Sequence, residues 1–67
     1  MEIKLIQRNE YVIKYKKVFD EIMHEYSETF DYEPEFKFRL NYLKSEDNIS
    51  NIHAYHVVVN EFDIDTL

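Results

Sequence analysis

The chain contains no cysteine, no glycine and a single proline, and it has no long apolar run. Without cysteine there is no thiol redox chemistry, no Cys-ligated zinc and no disulfide scaffold, which fits a reducing compartment. Without glycine, phosphate-cradling loops of the Walker or dinucleotide type cannot be built. Those loops need glycine where the backbone turns with positive φ and approaches phosphate closely. Any turn that requires positive φ must use Asn or Asp, and Asp47-Asn48 is the expected place. No stretch approaches the ~20 apolar residues of a membrane span. The opening segment, Met1 to Arg8, breaks its apolar residues with charges and lacks the apolar core of a signal peptide. A cytoplasmic protein with no membrane partner is expected.

What is present is a 67-residue chain with 14 acidic and eight basic residues, a net charge of −6, six tyrosines and five phenylalanines. The length suits one small domain, residues 1–67. Burial at ~25 cal/mol per Å² supplies on the order of 100 kcal/mol. Ordering the chain, at roughly 1.5 kcal/mol per residue, offsets about the same. Dense aromatic packing or a partner chain must supply the margin. Phe, Tyr, Met, Ile, Asn and Lys make up 31 residues, whereas Gly, Ala, Arg and Pro make up four, a skew that points to an AT-rich genome.

The expected fold class is α+β. Residues 2–7 alternate as a short strand. Asn9 is a candidate helix N-cap. Tyr11/Val12, Tyr15, Val18/Phe19, Ile22, Tyr26 and Phe30 then recur at spacings of three and four, a wide apolar stripe on an amphipathic helix of about residues 10–29. A rival form runs the helix to the N-terminus through Leu5, but it puts Arg8 on the buried stripe. Pro34 closes the connection after the helix and pushes Glu33 out of helical geometry. From 35 to 44, Phe36, Phe38, Leu40 and Tyr42 alternate with Lys37, Arg39 and Asn41, the period of a strand. It forms an antiparallel hairpin with a second strand at about 52–61. A register pairing Tyr42 with Tyr55, Leu40 with Val57 and Phe38 with Val59 puts the aromatics on one face, beneath the helix.

Residue chemistry points away from catalysis. His53 and His56 are three apart on a strand, face opposite ways and cannot share a metal. His24 with Asp20 or Glu28 supplies only two ligands at helical spacing. Ser27, Ser45, Ser50, Thr29 and Thr66 sit in no nucleophile motif, and a nucleophile elbow needs glycines. The expectation is no catalytic residue, no cofactor and no metal.

Charge is segregated along the chain. Lys4, Arg8, Lys14, Lys16 and Lys17 precede a run of Asp20, Glu21, Glu25, Glu28, Asp31, Glu33 and Glu35 that no Lys or Arg interrupts. On a helix ending near residue 29, Glu25 and Glu28 occupy the negative end of the macrodipole while lysines sit nearer its start, a local misplacement of the sort found at functional sites. The seven are therefore candidate partner-binding residues for a larger protein with a basic surface, reached by electrostatic steering. Direct nucleic-acid binding is disfavoured by repulsion from phosphates. Small, acidic, glycine-free and rich in AT-coded residues, the chain resembles phage-encoded host-inhibitory proteins. The resemblance implies an inhibitor whose carboxylates stand in for nucleic-acid phosphates on a bacterial protein. The alternatives are a self-assembling structural or regulatory subunit and an antitoxin-like partner of a basic protein. A homodimer is expected, joined through Ile52, Ala54, His56 and Val58 on the even-numbered face of the last strand.

Overall fold

A computed structural model describes residues 3–63, with the side chain of Asp63 left aside. The chain is α+β: three antiparallel strands and one helix that lies against the sheet. Strand β1 is Lys4–Phe19, β2 is Ile22–Phe30, helix α1 is Glu33–Lys44 and β3 is Ile49–Asp63, in sheet order β2-β1-β3. Among the described residues, no helix is long and apolar enough to cross a membrane.

The class matches the expectation, and two of its elements change places. Residues 10–29 are the body of a β-hairpin, not a helix. The segment Tyr11-Val12-Ile13 and the pair Val18-Phe19 are β-branched and aromatic residues that favour a pleated surface. The apparent wide stripe is two sheet faces seen together. Asn9 is mid-strand and caps nothing. Asp20 and Glu21 form the two-residue connection, with φ of 52° and 64°. Positive φ at both positions is what a hairpin of right-twisted strands requires. The glycine-free chain thus makes its αL turn here, and Asp47-Asn48 lies in a turn without positive φ.

Residues 35–44 are helix, not strand. Pro34 sits in the first turn, where its missing N–H would have had no partner, and so opens the helix instead of closing a loop. Phe36, Leu40 and Leu43 recur at i, i+4 and i+7 and pack onto the sheet, whereas Phe38 and Tyr42 stay exposed. The pairings of Tyr42, Leu40 and Phe38 with β3 therefore do not form. Residues 52–61 are strand as expected, but their partner is β1, with Val12 opposite Tyr55 and Arg8 opposite Val59. Residues 4–7 of the expected N-terminal strand begin β1, Ile3 lies just before it, and residue 2 lies outside the described residues.

The register of β3 slips between Lys14 and Lys16, where β3 carries one extra residue and Asn51 takes a φ of 53°. Asn tolerates αL better than most residues, so the bulge falls where the sequence permits it. Odd residues of β1 face the helix. Ile13 at 0% exposure, Tyr15 at 6% and Leu43 at 1% form the core, with Phe30, Phe36, Leu40, Ile49 and Ile52 packed around them. On the far face Val12 is 8% exposed, opposite Tyr55, over whose ring Lys14 lies.

The molecule is long and thin, 56 × 23 × 13 Å, with a radius of gyration of 16.7 Å. A compact chain of this length has roughly 11 Å. The length comes from β1: between residues 11 and 17 it runs between β2 and β3, but residues 18 and 19 pair with β2 alone and residues 4–10 with β3 alone. Residues 4–10 and 57–63 thus form a two-stranded arm.

Candidate functional site

The seven acidic candidates do not form one surface. Asp20 and Glu21 are the hairpin turn. Asp31, Glu33 and Glu35 lie at the opposite end of β2, in the connection and the first turn of α1. Nine residues of extended β2 separate these groups, roughly 30 Å. Glu25 and Glu28 project from opposite faces of β2, three residues apart on a strand. Glu25 is exposed, 3.8 Å from Lys16. Glu33 pairs with Lys37 at 3.0 Å, one turn along the helix.

The supposed misplacement of charge disappears with the helix assignment. In the real helix, Glu33 and Glu35 occupy the first turn and Lys44 the last, the arrangement that stabilises the macrodipole. The acids at 33 and 35 thus have a local structural role.

Glu28 is committed elsewhere. It faces α1 and takes a two-pronged contact from Arg39, Nε to Oε1 at 2.8 Å and a terminal nitrogen to Oε2 at 3.0 Å. The Tyr15 hydroxyl also donates to Glu28, and Arg39 donates to that hydroxyl at 3.5 Å. The hydrogen bond from Arg39 holds the Glu28 carboxyl below the usual glutamate range. Burial, then the Glu28 contact, pushes the Tyr15 phenol up, and Glu28 in turn raises Arg39. A carboxylate held ionised in this way is a weak base and a good clamp. It ties α1 to β2 over the core.

The histidines are also apart. His53 lies on the far face, near the Tyr55 ring. His56 lies on the helix side, stacked on Tyr11 at 4.6 Å and hydrogen-bonded to Asn9 at 2.8 Å. His24 lies beside Phe19 and Tyr26, and one strand position, that of Tyr26, separates it from Glu28 on the same face. Among the described residues, no group of three or more His, Asp or Glu could hold a metal. An open cleft of about 360 Å³ is lined by Lys14, Tyr15, Lys16, Glu25, Tyr26, Ser27 and Asn51.

The expected dimer residues are likewise divided. Ile52 packs against the core. Ala54, His56 and Val58 line the helix side of β3 outward along the arm, with Val58 52% exposed.

Sequence reasoning missed the hairpin end. Phe19 and Ile22, the pair that closes the turn, are each 60% exposed, and Met23 is 53% exposed. On a helix Phe19 and Ile22 belonged to the buried stripe. The adjoining Asp20-Glu21, two acids inside an apolar run, was the available sign of a turn. Comparison with protein-family models, curated proteins and solved structures finds no match to this chain.

Proposed function

We propose that this chain is a non-enzymatic, cofactor-free protein-binding module that engages a larger basic protein through its hairpin end. The observation that carries the proposal is the exposure of Phe19 and Ile22 on one face of the hairpin tip and Met23 on the other, all beside the acidic turn Asp20-Glu21. Apolar residues exposed together, with a charged rim, are the usual make-up of a protein contact. Their partner is an apolar groove with basic edges, and the net charge of −6 steers the approach. The contact is thus a projecting tip, in place of a row of carboxylates standing in for phosphates. The composition directs the search to bacterial proteins from AT-rich genomes, where such a module would act as an inhibitor by occupying the groove.

Affinity capture from a low-GC bacterial lysate, read by mass spectrometry, tests this. The variants Phe19→Ser/Met23→Ser and Asp20→Lys/Glu21→Lys, each checked for a folded circular-dichroism spectrum, should bind the captured protein at least about tenfold more weakly. Capture that ignores both variants, and salt from about 50 to about 500 mM, would remove the hairpin end from consideration.

A further inference from the structure

The other end of the sheet holds an unfilled lane. Strand β2 stops at Phe30, opposite Tyr11, so beyond it the edge of β1 from residue 10 to residue 4 has no neighbour among the described residues. The backbone groups facing that lane can be named. A two-residue hairpin turn makes Phe19 and Ile22 the closing pair, whose N–H and C=O groups point at each other. Odd residues of β1 therefore direct their backbone groups toward β2 and even ones toward β3. The bond from Val18 N–H to the Asn48 carbonyl at 3.1 Å has this parity. Continued outward, Leu5, Gln7 and Asn9 present three N–H and three C=O groups to the empty lane.

The arm beside this lane exposes apolar side chains on both faces. Leu5, Val58 and Phe62 are exposed on the helix side at 54%, 52% and 66%, and Ile6 and Val57 on the far face at 44% and 37%. Two strands alone are marginal in water, and three or more with an apolar face are needed for independent stability. The area is in accord: the chain exposes 5558 Å², where a compact 8.3 kDa monomer exposes roughly 4,600 Å². The excess, roughly 1,000 Å², is about what one partner gives up in a standard-size interface.

We propose that two copies of this chain pair edge to edge through residues 4–10 of β1, antiparallel, about a two-fold axis at Gln7. The arm then becomes four strands wide, in the order β3-β1-β1-β3 across the two copies. The register follows from three constraints. Hydrogen-bonded pairs must be drawn from Leu5, Gln7 and Asn9, so Leu5 faces Asn9 of the second copy and Gln7 faces its equivalent. The end of β2 at Phe30 limits the lane to the seven residues 4–10, and only this register uses them all. It also sets Lys4 opposite Glu10 of the second copy, twice by symmetry, whereas a slip of two residues sets Lys4 opposite Arg8. The outer edge of β3 is the competing contact, and it is less suited. It is interrupted by the bulge at Asn51, and its only formal charges are Glu61 and Asp63, which a second copy doubles without a counter-charge. The contact is separate from the hairpin end, so either can fail without the other.

The test is sedimentation of the full chain at micromolar concentration, with residue-resolved amide exchange by NMR on the same sample. A mass of two chains is expected, with Leu5, Gln7 and Asn9 amides protected as well as those of Ile6, Arg8 and Glu10. Gln7→Pro deletes an N–H that faces the lane and leaves the β1–β3 bonds in place. Removing both symmetric bonds should raise the dissociation constant roughly 30-fold or more. Should that variant fail to fold, Glu10→Lys should weaken the dimer severalfold at low salt and the double change Lys4→Glu/Glu10→Lys should restore it. A single-chain mass overturns the proposal. So does a dimer in which the Leu5, Gln7 and Asn9 amides exchange freely, because its contact then lies on β3 or on a sheet face.

Discussion

Strand β1 passes through two environments. From Tyr11 to Lys17 it is the central strand of three and lies under α1, and Ile13 there is fully buried. From Lys4 to Glu10 it has one neighbour among the described residues, and Leu5 and Ile6 are about half exposed. Both halves carry apolar residues on each face, Leu5 and Ile6 in one and Val12 and Ile13 in the other, yet only the second pair is buried. The difference is made by β2, which ends at Phe30, and by α1, which runs from there back over the middle of the sheet. Stability is thus concentrated in the middle, and the two ends carry the surfaces free to meet other molecules.

The largest expected effect separates these halves directly. Leu43→Ala removes the helix residue that seals the core at 1% exposure, and should destabilise the chain by about 2–5 kcal/mol, enough to unfold a domain this small. Leu5→Ala on the arm makes the same chemical change and should lower the stability of the isolated chain by less than about 1 kcal/mol. Urea unfolding, followed by circular dichroism below the dimer dissociation constant, checks the pair. Equal losses would mean that the arm is packed as tightly as the middle.

That contrast also explains which features were legible in the sequence. The class, α+β, followed from a mixture of both periodicities, and residues 52–61 read correctly because Val57-Val58-Val59 suits little but a strand. The other segments satisfied two periods at once. Phe36, Phe38, Leu40 and Tyr42 fit period two, whereas Phe36, Leu40 and Leu43 fit a helix, and only Leu43 decides between them. Ile13 plays the same part in the first half, lying off the supposed helical stripe yet being fully buried. A period that leaves out its own Ile or Leu was the warning in both segments. The turn at Asp20-Glu21 was easy to overlook because the glycine that usually follows Asp in such a turn is replaced by Glu, so the pair also reads as two solvent-facing acids of a helix. The Arg39–Glu28 contact depends on both reassigned elements and had no local sign.

A smaller effect concerns the clamp over the core. Glu28 has its pKa lowered by Arg39, so its contribution is present above the ordinary glutamate value of about 4.3 and lost as pH falls through the folded-state value. Tyr15 is raised, so its contribution holds below about pH 10 and is lost as pH rises beyond its folded-state value. Arg39→Met should cost about 1 kcal/mol at neutral pH, since the side chains are 36% and 26% exposed and solvent screens the pair. It should also flatten the acid limb of the stability profile between about pH 5 and pH 3. Urea midpoints across that range, variant against parent, isolate Glu28 from the other carboxylates. Parallel acid limbs would show that the contact contributes nothing in solution.

The smallest expected effect lies over the middle of the sheet itself. Phe38 belongs to the helix that covers the core, yet it is 79% exposed, on the side of α1 away from Phe36, Leu40 and Leu43. Phe38→Lys therefore buries no charge, keeps a good helix former and opens no cavity, so stability should change by less than about 0.5 kcal/mol. In a strand of period two, Phe38 would share the buried face with Phe36 and Leu40. The same substitution would then place an ammonium in the core and unfold the chain. The thermal midpoint of this one variant thus distinguishes the two periods in the segment where both fit. A shift no larger than the error of the measurement is expected, because what covers the middle is one stripe of α1 and not the whole helix.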